Sequence, residues 1–208
     1  MSMKLNEKQQ EAATTLNGCL LIVAGSGKTT VLINRAVNLV NAGVDPKRIL
    51  MITFTRYAAR NMATKAKEIG DNKCIGLYTS TFHSFYLDML RRYGNIIGMD
   101  PNFVILNSDG SIEDSISQVM AKYTEYGEVK GFPSFSDIRE AYSYAINTGR
   151  PLDQVLSEFK ETMDYVAELC DLYETWTKEK EATNNYTYDD LMVKMLELMQ
   201  TENGRNAV

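Results

Sequence analysis

The sequence has 208 residues, of which 44% are hydrophobic and 24% charged, and this suits one large globular domain or two small ones. It contains no run of about 18 apolar residues, and its polar N-terminus lacks an apolar signal region, so we expect neither a membrane span nor secretion but a cytoplasmic protein. The net charge of −5 argues against nucleic acid as a partner of the chain as a whole, and a single histidine, His83, makes a histidine-based metal site hard to build.

Short apolar runs alternate with helix-like segments in the first half of the sequence. Three strand–helix pairs are predicted, at Cys19–Ala24 with 28–40, at Arg48–Phe54 with about 57–68, and at Cys74–Phe82 with about 83–93. The first helix is predicted to place its apolar residues mostly on one face, at Val31, Leu32, Ala36, Leu39 and Val40. Such alternation is typical of a parallel sheet with helical crossovers, which binds ligands at the carboxyl ends of its strands.

The pattern changes after about Asn107. Residues 109–200 contain no convincing strand, and Leu152–Glu181 carries apolar residues at the three- and four-residue spacing of helices. Turns are predicted at 131–134 and 149–151. The sequence therefore predicts an α/β unit followed by a helical unit.

Charge differs between the two parts. The segment Asp45–Arg92 has nine Lys and Arg against four Asp and Glu, whereas Asp109–Asp190 has seven against eighteen. This asymmetry suggests two units with different partners, and solvated helix faces are the alternative interpretation.

The three cysteines are Cys19, Cys74 and Cys170. They lie far apart, are odd in number and do not follow metal-ligand spacing. We expect small buried thiols in a reducing compartment.

A glycine-rich stretch, Gly25-Ser26-Gly27-Lys28-Thr29, joins the first predicted strand to its helix. Small residues there let backbone N–H groups surround a phosphate, and the helix N-terminus adds positive potential. Lys28 and Thr29 are the predicted catalytic positions, because Lys28 would reach the terminal phosphates and the Thr29 hydroxyl would ligate magnesium. Thr30 and Arg35 on the same helix complete the predicted nucleotide site. The alternative is a glycine-rich turn with an incidental lysine.

The loop departs from the full phosphate-loop pattern. That pattern places a glycine five residues before Gly27, where this sequence has Ile22. The loop is thus two residues short. Two interpretations stay open: a shortened phosphate cradle, or a sequence that lacks two residues of the loop.

These motifs resemble those of the superfamily 1 helicases of the UvrD/Rep/PcrA type, whose phosphate loop reads A-G-A-G-S-G-K-T. The segment Leu5–Ala12 (LNEKQQEA) is similar to the family's adenine-recognising Q motif, with Gln9 in the glutamine position. A side-chain amide suits adenine because it donates and accepts at once. The alternative for Gln9 is an exposed residue on an N-terminal helix.

Two further segments resemble family motifs that hold single-stranded DNA, Ile49–Met62 (ILMITFTRYAARNM) and Tyr78–Arg92 (YTSTFHSFYLDMLRR). Hydroxyls, backbone N–H groups and helix N-termini bind phosphate, and aromatic rings stack on bases. The alternatives are core packing for Phe54 and Phe82 and helix capping for Ser84. The resemblance implies DNA contacts at six positions: Phe54, Thr55, Arg56, Thr81, Phe82 and His83.

The resemblance covers essentially the whole chain and implies an α/β fold, a RecA-like P-loop NTPase parallel sheet with helices on both faces plus an all-α insertion. The implied domains are a motor domain at 1–107, an insertion at 108–185 and a return segment at 186–208. In that return segment we expect Asp189 and Asp190 to form the first turn of a helix rather than a catalytic pair.

The implied function is that of an ATP-dependent DNA helicase using ATP and magnesium, with single-stranded DNA or DNA with single-stranded tails as its partner. In the family a D-E-x-x motif and a second motor domain follow, so we expect negligible hydrolysis from this chain alone. We expect a monomer, with the acidic insertion available to a partner protein. The alternatives are a non-catalytic DNA-binding or assembly module, a different phosphate-loop enzyme such as a small-molecule kinase, and the helicase subunit of a helicase–nuclease.

Overall fold

The computed structural model describes residues 5–22, 27–106, 109–120 and 132–208. The chain divides into two compact units, Met1–Phe85 and Tyr86–Val208. The described residues are mostly helical and carry two small parallel sheets. Within these ranges no helix is long and apolar enough to span a bilayer. The predicted domain bounds of 1–107, 108–185 and 186–208 stay a prediction.

In the first unit, the described residues pack helices around one pair of parallel strands. Its elements are α1 (Glu7–Thr14), α2 (Lys28–Asn41), a 3₁₀ turn (Pro46–Arg48), β1 (Leu50–Thr53), α3 (Arg56–Ile69), β2 (Tyr78–Thr81) and α4 (Phe82–Tyr93), the last of which continues beyond Phe85. The core of this unit consists of Ile33, Ala36, Val37, Ile49, Met51, Met62, Ala66 and Cys74. The predicted helices at 28–40, 57–68 and 83–93 are therefore confirmed, and the second and third predicted strands are parallel, as expected of a sheet with helical crossovers.

The first predicted strand is wrong over its described part. Cys19–Ile22 is not a strand, and Leu21 is 85% exposed. An apolar run becomes a buried strand only if neighbouring backbone completes its hydrogen bonds, and the described residues pair only β1 with β2 and β3 with β4. Val23 and Ala24, the other residues of this predicted strand, lie outside the described residues.

Two further predictions in this unit are wrong, one on the buried face of α2 and one on the start of the third strand. On α2, Leu32 is 45% exposed, and Ile33 and Val37 are buried instead, because the helix turns the face at Ile33, Ala36 and Val37 inward. The third strand begins at Tyr78 rather than Cys74. Residues 71–76 form a turn, and Gly76 has φ of +104°, a left-handed conformation that turns the chain instead of extending it.

The described part of the second unit is helical apart from one short strand pair. Its elements are a 3₁₀ turn (Gly94–Ile97), β3 (Val104–Ile105), α5 (Asp109–Met120), α6 (Phe135–Thr148), α7 (Leu152–Glu158), a second 3₁₀ turn (Met163–Tyr165), α8 (Val166–Ala182), β4 (Asn185–Tyr186), α9 (Tyr188–Gln200) and α10 (Glu202–Ala207). Its core gathers the inward residues of α5 to α8: Ile116, Val119, Ile138, Ala141, Tyr142, Ala145, Val155, Leu156, Leu169, Leu172 and Trp176. Gly149, with φ of +66°, ends α6 at the predicted turn.

The absence of strands predicted for 109–200 is wrong at Asn185–Tyr186. Asn185 and Tyr186 pair in parallel with Val104 and Ile105, and two residues are too few to leave an apolar run in the sequence. The helical interpretation of Asp189 and Asp190 is confirmed, because Thr187 caps α9 and Asp190 completes its capping box.

The cysteines are all free, but only one is buried. Cys74 lies in the core, Cys170 is half-buried, and Cys19 is exposed, as are Leu20 and Leu21 after it. Burial raises the pKa of the Cys74 thiol. The predicted burial is therefore wrong for Cys19.

Candidate functional site

The two strands of the first unit end level with each other. Thr53, the last residue of β1, pairs with Thr81, the last residue of β2. The helices that follow begin almost at once, α3 at Arg56 and α4 at Phe82. One edge of the sheet therefore carries two strand ends and two helix N-termini, the position where parallel sheets bind ligands.

Aromatic rings stand on this edge. Phe54 is 89% exposed and Phe82 is 37% exposed, and their ring centroids lie 5.5 Å apart at an interplanar angle of 47°. Tyr57, in the first turn of α3, is 80% exposed. Core packing, the alternative for Phe54, is therefore wrong, because almost its whole side chain faces solvent. An exposed ring pair of this kind is suited to contact a planar ligand.

Threonine hydroxyl groups cap the N-termini of both helices. Thr55 Oγ1 accepts a hydrogen bond from the backbone N–H of Ala58 at 3.1 Å. Thr81 Oγ1 accepts from the backbone N–H of Ser84 at 3.3 Å and also donates to the Ser84 hydroxyl at 2.9 Å. The residue that caps α4 is thus Thr81, with Ser84 as its partner. Thr81 is buried, and its hydroxyl bonds to groups of the protein. Thr55 also caps its helix, but its side chain is exposed to solvent.

The cationic and imidazole side chains at this edge face solvent. Arg56 and His83, in the first turns of α3 and α4, are both exposed. The helix N-terminal N–H groups and the Arg56 charge both favour an anion. All six residues predicted for DNA contact, Phe54, Thr55, Arg56, Thr81, Phe82 and His83, therefore belong to the two junctions at this one edge.

Four of the residues predicted for nucleotide binding, Gly27, Lys28, Thr29 and Thr30, lie at the start of α2. Gly27 precedes α2 with φ of +118°, a left-handed conformation that favours glycine, and Lys28 and Thr29 form the exposed start of the helix. Thr30 is half-buried, and its carbonyl accepts from Asn34. Gly25 and Ser26 lie outside the described residues.

Gln9 lies against this helix start. A Cβ atom placed on Gly27 would be 2.6 Å from Nε2 of Gln9, so glycine leaves the space that the amide occupies. Gln9 is half-buried and its Oε1 accepts from the backbone N–H of Asn6. The structure therefore brings together Gln9 and Gly27, which are far apart in sequence.

Arg35 makes contacts within the protein. Its guanidinium donates to the backbone carbonyl of Ala12 at 3.1 Å and to that of Gly18 at 3.5 Å. Asn38, one turn further along α2, donates to the carbonyl of Ala13 at 2.8 Å. These bonds hold α1 and the following loop on α2, and a nucleotide contact of Arg35 stays a prediction.

At the start of α2, a metal ion would bind together with the phosphates of a nucleotide. Across the ranges that the structure describes, no three His, Cys, Asp or Glu side chains cluster as a metal site. The exposed Thr29 hydroxyl beside Lys28 suits magnesium that arrives with a triphosphate, since magnesium prefers oxygen ligands and keeps phosphate oxygens and waters.

Two residues at these sites were absent from the predicted set, Asn6 and Tyr57. Asn6 had a signal in the sequence, because Asn-x-x-Gln before a helix is a capping-box pattern. For Tyr57, the sequence offered only an aromatic residue that follows a strand end, and this does not by itself indicate an exposed ring.

Comparison with known proteins shows similarity along nearly the whole chain. Residues 5–207 match the family model described as UvrD/REP helicase N-terminal domain. An ATP-dependent DNA helicase PcrA of Leuconostoc citreum is 32% identical over 204 residues, which cover 95% of this chain and 26% of that protein. An ATP-dependent DNA helicase PcrA of Staphylococcus aureus strain Mu50 is 30% identical over 200 residues, covering 94% of this chain and 26% of the relative. The chain thus spans about a quarter of the length of these relatives.

Proposed function

The chain belongs to the UvrD/REP helicase N-terminal domain family, and from that premise we propose that it is the ATP- and single-stranded-DNA-binding part of an ATP-dependent DNA helicase. The proposal includes a RecA-like parallel α/β domain with a helical insertion. Similarity to helicases named PcrA over 95% of the chain supports it.

In this proposal the start of α2 holds the nucleotide. Gln9 contacts adenine, and the backbone at Gly25, Ser26 and Gly27 surrounds the phosphates. Lys28 places its ammonium group on the terminal phosphates, and Thr29 ligates magnesium, which when bound offsets phosphate charge. Thr30 and Arg35 complete this set on α2.

The level strand ends of β1 and β2 hold single-stranded DNA in the same proposal. Phe54 and Phe82 stack on bases, and Arg56 and His83 face the backbone phosphates. Thr55 and Thr81 shape the two helix starts whose N–H groups meet phosphate oxygens. ATP binding and hydrolysis in the whole protein would drive movement along the strand held here.

One observation carries the proposal, the exposed Phe54–Phe82 ring pair at the level ends of two parallel strands. An exposed phenylalanine side chain places a large apolar area in water, at a cost of about 25 cal/mol for each Å² left uncovered. A stacking surface for bases gives that exposure a function, and sequence-independent binding follows because every base has a flat face.

A paired binding experiment tests the proposal. Binding of a fluorescent oligo-dT to the chain is followed by anisotropy, and Mg–ATP binding by displacement of a fluorescent ATP analogue. We expect Lys28→Ala to weaken nucleotide binding and leave oligo-dT binding unchanged, and Phe54→Ala to do the reverse. The proposal fails if the wild-type chain binds neither ligand, or if both variants affect both ligands equally.

A non-catalytic DNA-binding or assembly module is the second candidate, and the short loop favours it. Ile22 occupies the place of the first glycine of the phosphate-loop pattern. In this case Mg–ATP would not raise the melting temperature of the chain, while oligo-dT would still bind. A rise in melting temperature with ATP concentration would rule this candidate out.

A further inference from the structure

Asn6 and Gln9 hold each other at the start of α1. Asn6 Oδ1 accepts from the backbone N–H of Gln9, and the backbone N–H of Asn6 donates to Gln9 Oε1, both at 2.9 Å. This reciprocal pair is a capping box. It directs the oxygen end of the Gln9 amide towards the start of its own helix.

The nitrogen end of the same amide lies at the start of α2. Gln9 Nε2 fills the space beside Gly27 that a Cβ atom would need, 2.6 Å from the position of that atom. Lys28 follows directly and begins the helix. The amide is thus oriented, with its oxygen towards Asn6 and its nitrogen towards Gly27.

The far end of α1 is fixed as well. Arg35 and Asn38 on α2 donate to the carbonyls of Ala12 and Ala13, and Ala13 is fully buried. With the capping box at one end of α1 and these bonds at the other, the Gln9 amide has a defined position relative to α2.

We propose that Asn6 is a positioning residue that sets base selectivity, an inference that rests on the proposed nucleotide site. Its side chain fixes the first turn of α1 through the backbone N–H of Gln9, and this keeps the Asn6 backbone N–H where it holds the oxygen of the Gln9 amide in one orientation. An oriented amide presents an acceptor and a donor in fixed order. Adenine offers the complementary pair, its amino group and N7, whereas guanine offers two acceptors, O6 and N7. An amide that can rotate loses this order, so ATP and GTP become harder to distinguish.

The dissociation constants of Mg–ATP and Mg–GTP, measured on the chain by displacement of a fluorescent nucleotide, test this role. Asn6→Ala keeps the backbone N–H that holds the amide oxygen but removes the side-chain cap that fixes this N–H. It should therefore lower the preference for ATP over GTP by roughly two- to tenfold, the factor that one hydrogen bond carries. Asn6→Ser should keep the preference, because serine also closes a capping box. Gln9→Glu keeps the box but cannot donate to N7, so it should lose the preference while the melting temperature stays close to wild type.

The outcomes separate this inference from the function on which it rests. A wild-type chain that binds ATP selectively, with the same selectivity in Asn6→Ala, overturns the positioning role and leaves the proposed function standing. A wild-type chain that binds neither nucleotide overturns both. If Asn6→Ala does not fold, Asn6→Ser and Gln9→Glu decide, and loss of selectivity in the first with retention in the second contradicts the inference.

Discussion

The ring of Phe54 lies 5.5 Å from the ring of Phe82, although 27 positions of sequence separate the two residues. The register of β1 and β2 produces this neighbourhood, because Thr53 and Thr81 pair and each precedes one of the rings. Two exposed aromatic side chains, two helix starts and the Arg56 charge thereby occupy one edge of a two-stranded sheet.

Removing the Phe54 ring should weaken binding of single-stranded DNA. Stacking on one base contributes about 1–3 kcal/mol, so Phe54→Ala should raise the dissociation constant for oligo-dT roughly five- to 150-fold. The fold should be unaffected, because the side chain is 89% exposed. Leu196→Ala, which removes another exposed apolar side chain from the second unit, is the matched control and should bind like wild type. Equal affinities of Phe54→Ala and wild type would contradict the stacking role.

Arg56 should contribute to the salt dependence of DNA binding. One phosphate contact adds about 0.7 to the slope of log K against log salt for single strands, so Arg56→Ala should reduce the slope by roughly that amount. Lys160→Ala removes an exposed cation from the second unit and serves as the control. Titrations between low and moderate salt measure the slope. An unchanged slope in Arg56→Ala would show that this side chain touches no phosphate.

Lys180 should stabilise the second unit. Lys180 is 3% exposed, and its ammonium nitrogen lies 2.7 Å from Asp190 Oδ2 and 3.9 Å from the centroid of the Trp176 ring. Lys180→Ala leaves a shielded carboxylate without its cation, so we expect a loss of about 3 kcal/mol in the free energy of unfolding. Lys178→Ala breaks an exposed pair with Glu174 and should cost less than about 0.5 kcal/mol in urea denaturation. Similar losses in the two variants would argue against the buried pair.

Tyr142 should make the chain less stable at alkaline pH. Burial, with smaller contributions from Cys170 and Tyr173, raises the pKa of its hydroxyl above the ordinary value of 10.0. The hydroxyl also donates to the Leu169 carbonyl at 2.7 Å. Because the folded pKa is the higher one, this stability is complete below pH 10 and declines as pH rises above it, by about 1.4 kcal/mol per unit.

Tyr142→Phe isolates that contribution. At neutral pH it should lose about 1 kcal/mol, the worth of a buried hydrogen bond. Between pH 9 and 11 its free energy of unfolding should fall less steeply than that of wild type. Parallel curves for the two proteins would show that Tyr142 ionises equally in the folded and unfolded states.

Periodicity was sufficient to predict helices α2, α3 and α4, because those helices bury one regular face, and the alternation of strands with helices predicted that β1 and β2 are parallel. It failed at Cys19–Ile22, since an apolar run does not reveal whether a neighbouring strand covers it. It also missed β4, whose two residues form a strand only through pairing with β3. The exposure of Phe54 could not be predicted from the sequence, because a phenylalanine at a strand end can face either the core or the solvent. Asn6 could have been found from its capping-box pattern.

The proposed function depends most on where single-stranded DNA lies on the chain. Photocrosslinking of the chain to an oligonucleotide that carries 5-iodouracil, followed by mass spectrometry of the peptides, answers this directly, because halogenated uracil couples to aromatic rings stacked on it. We predict crosslinks to peptides containing Phe54, Tyr57 or Phe82, reduced in Phe54→Ala. Crosslinks confined to residues 86–208, with none at this edge, would contradict the assignment.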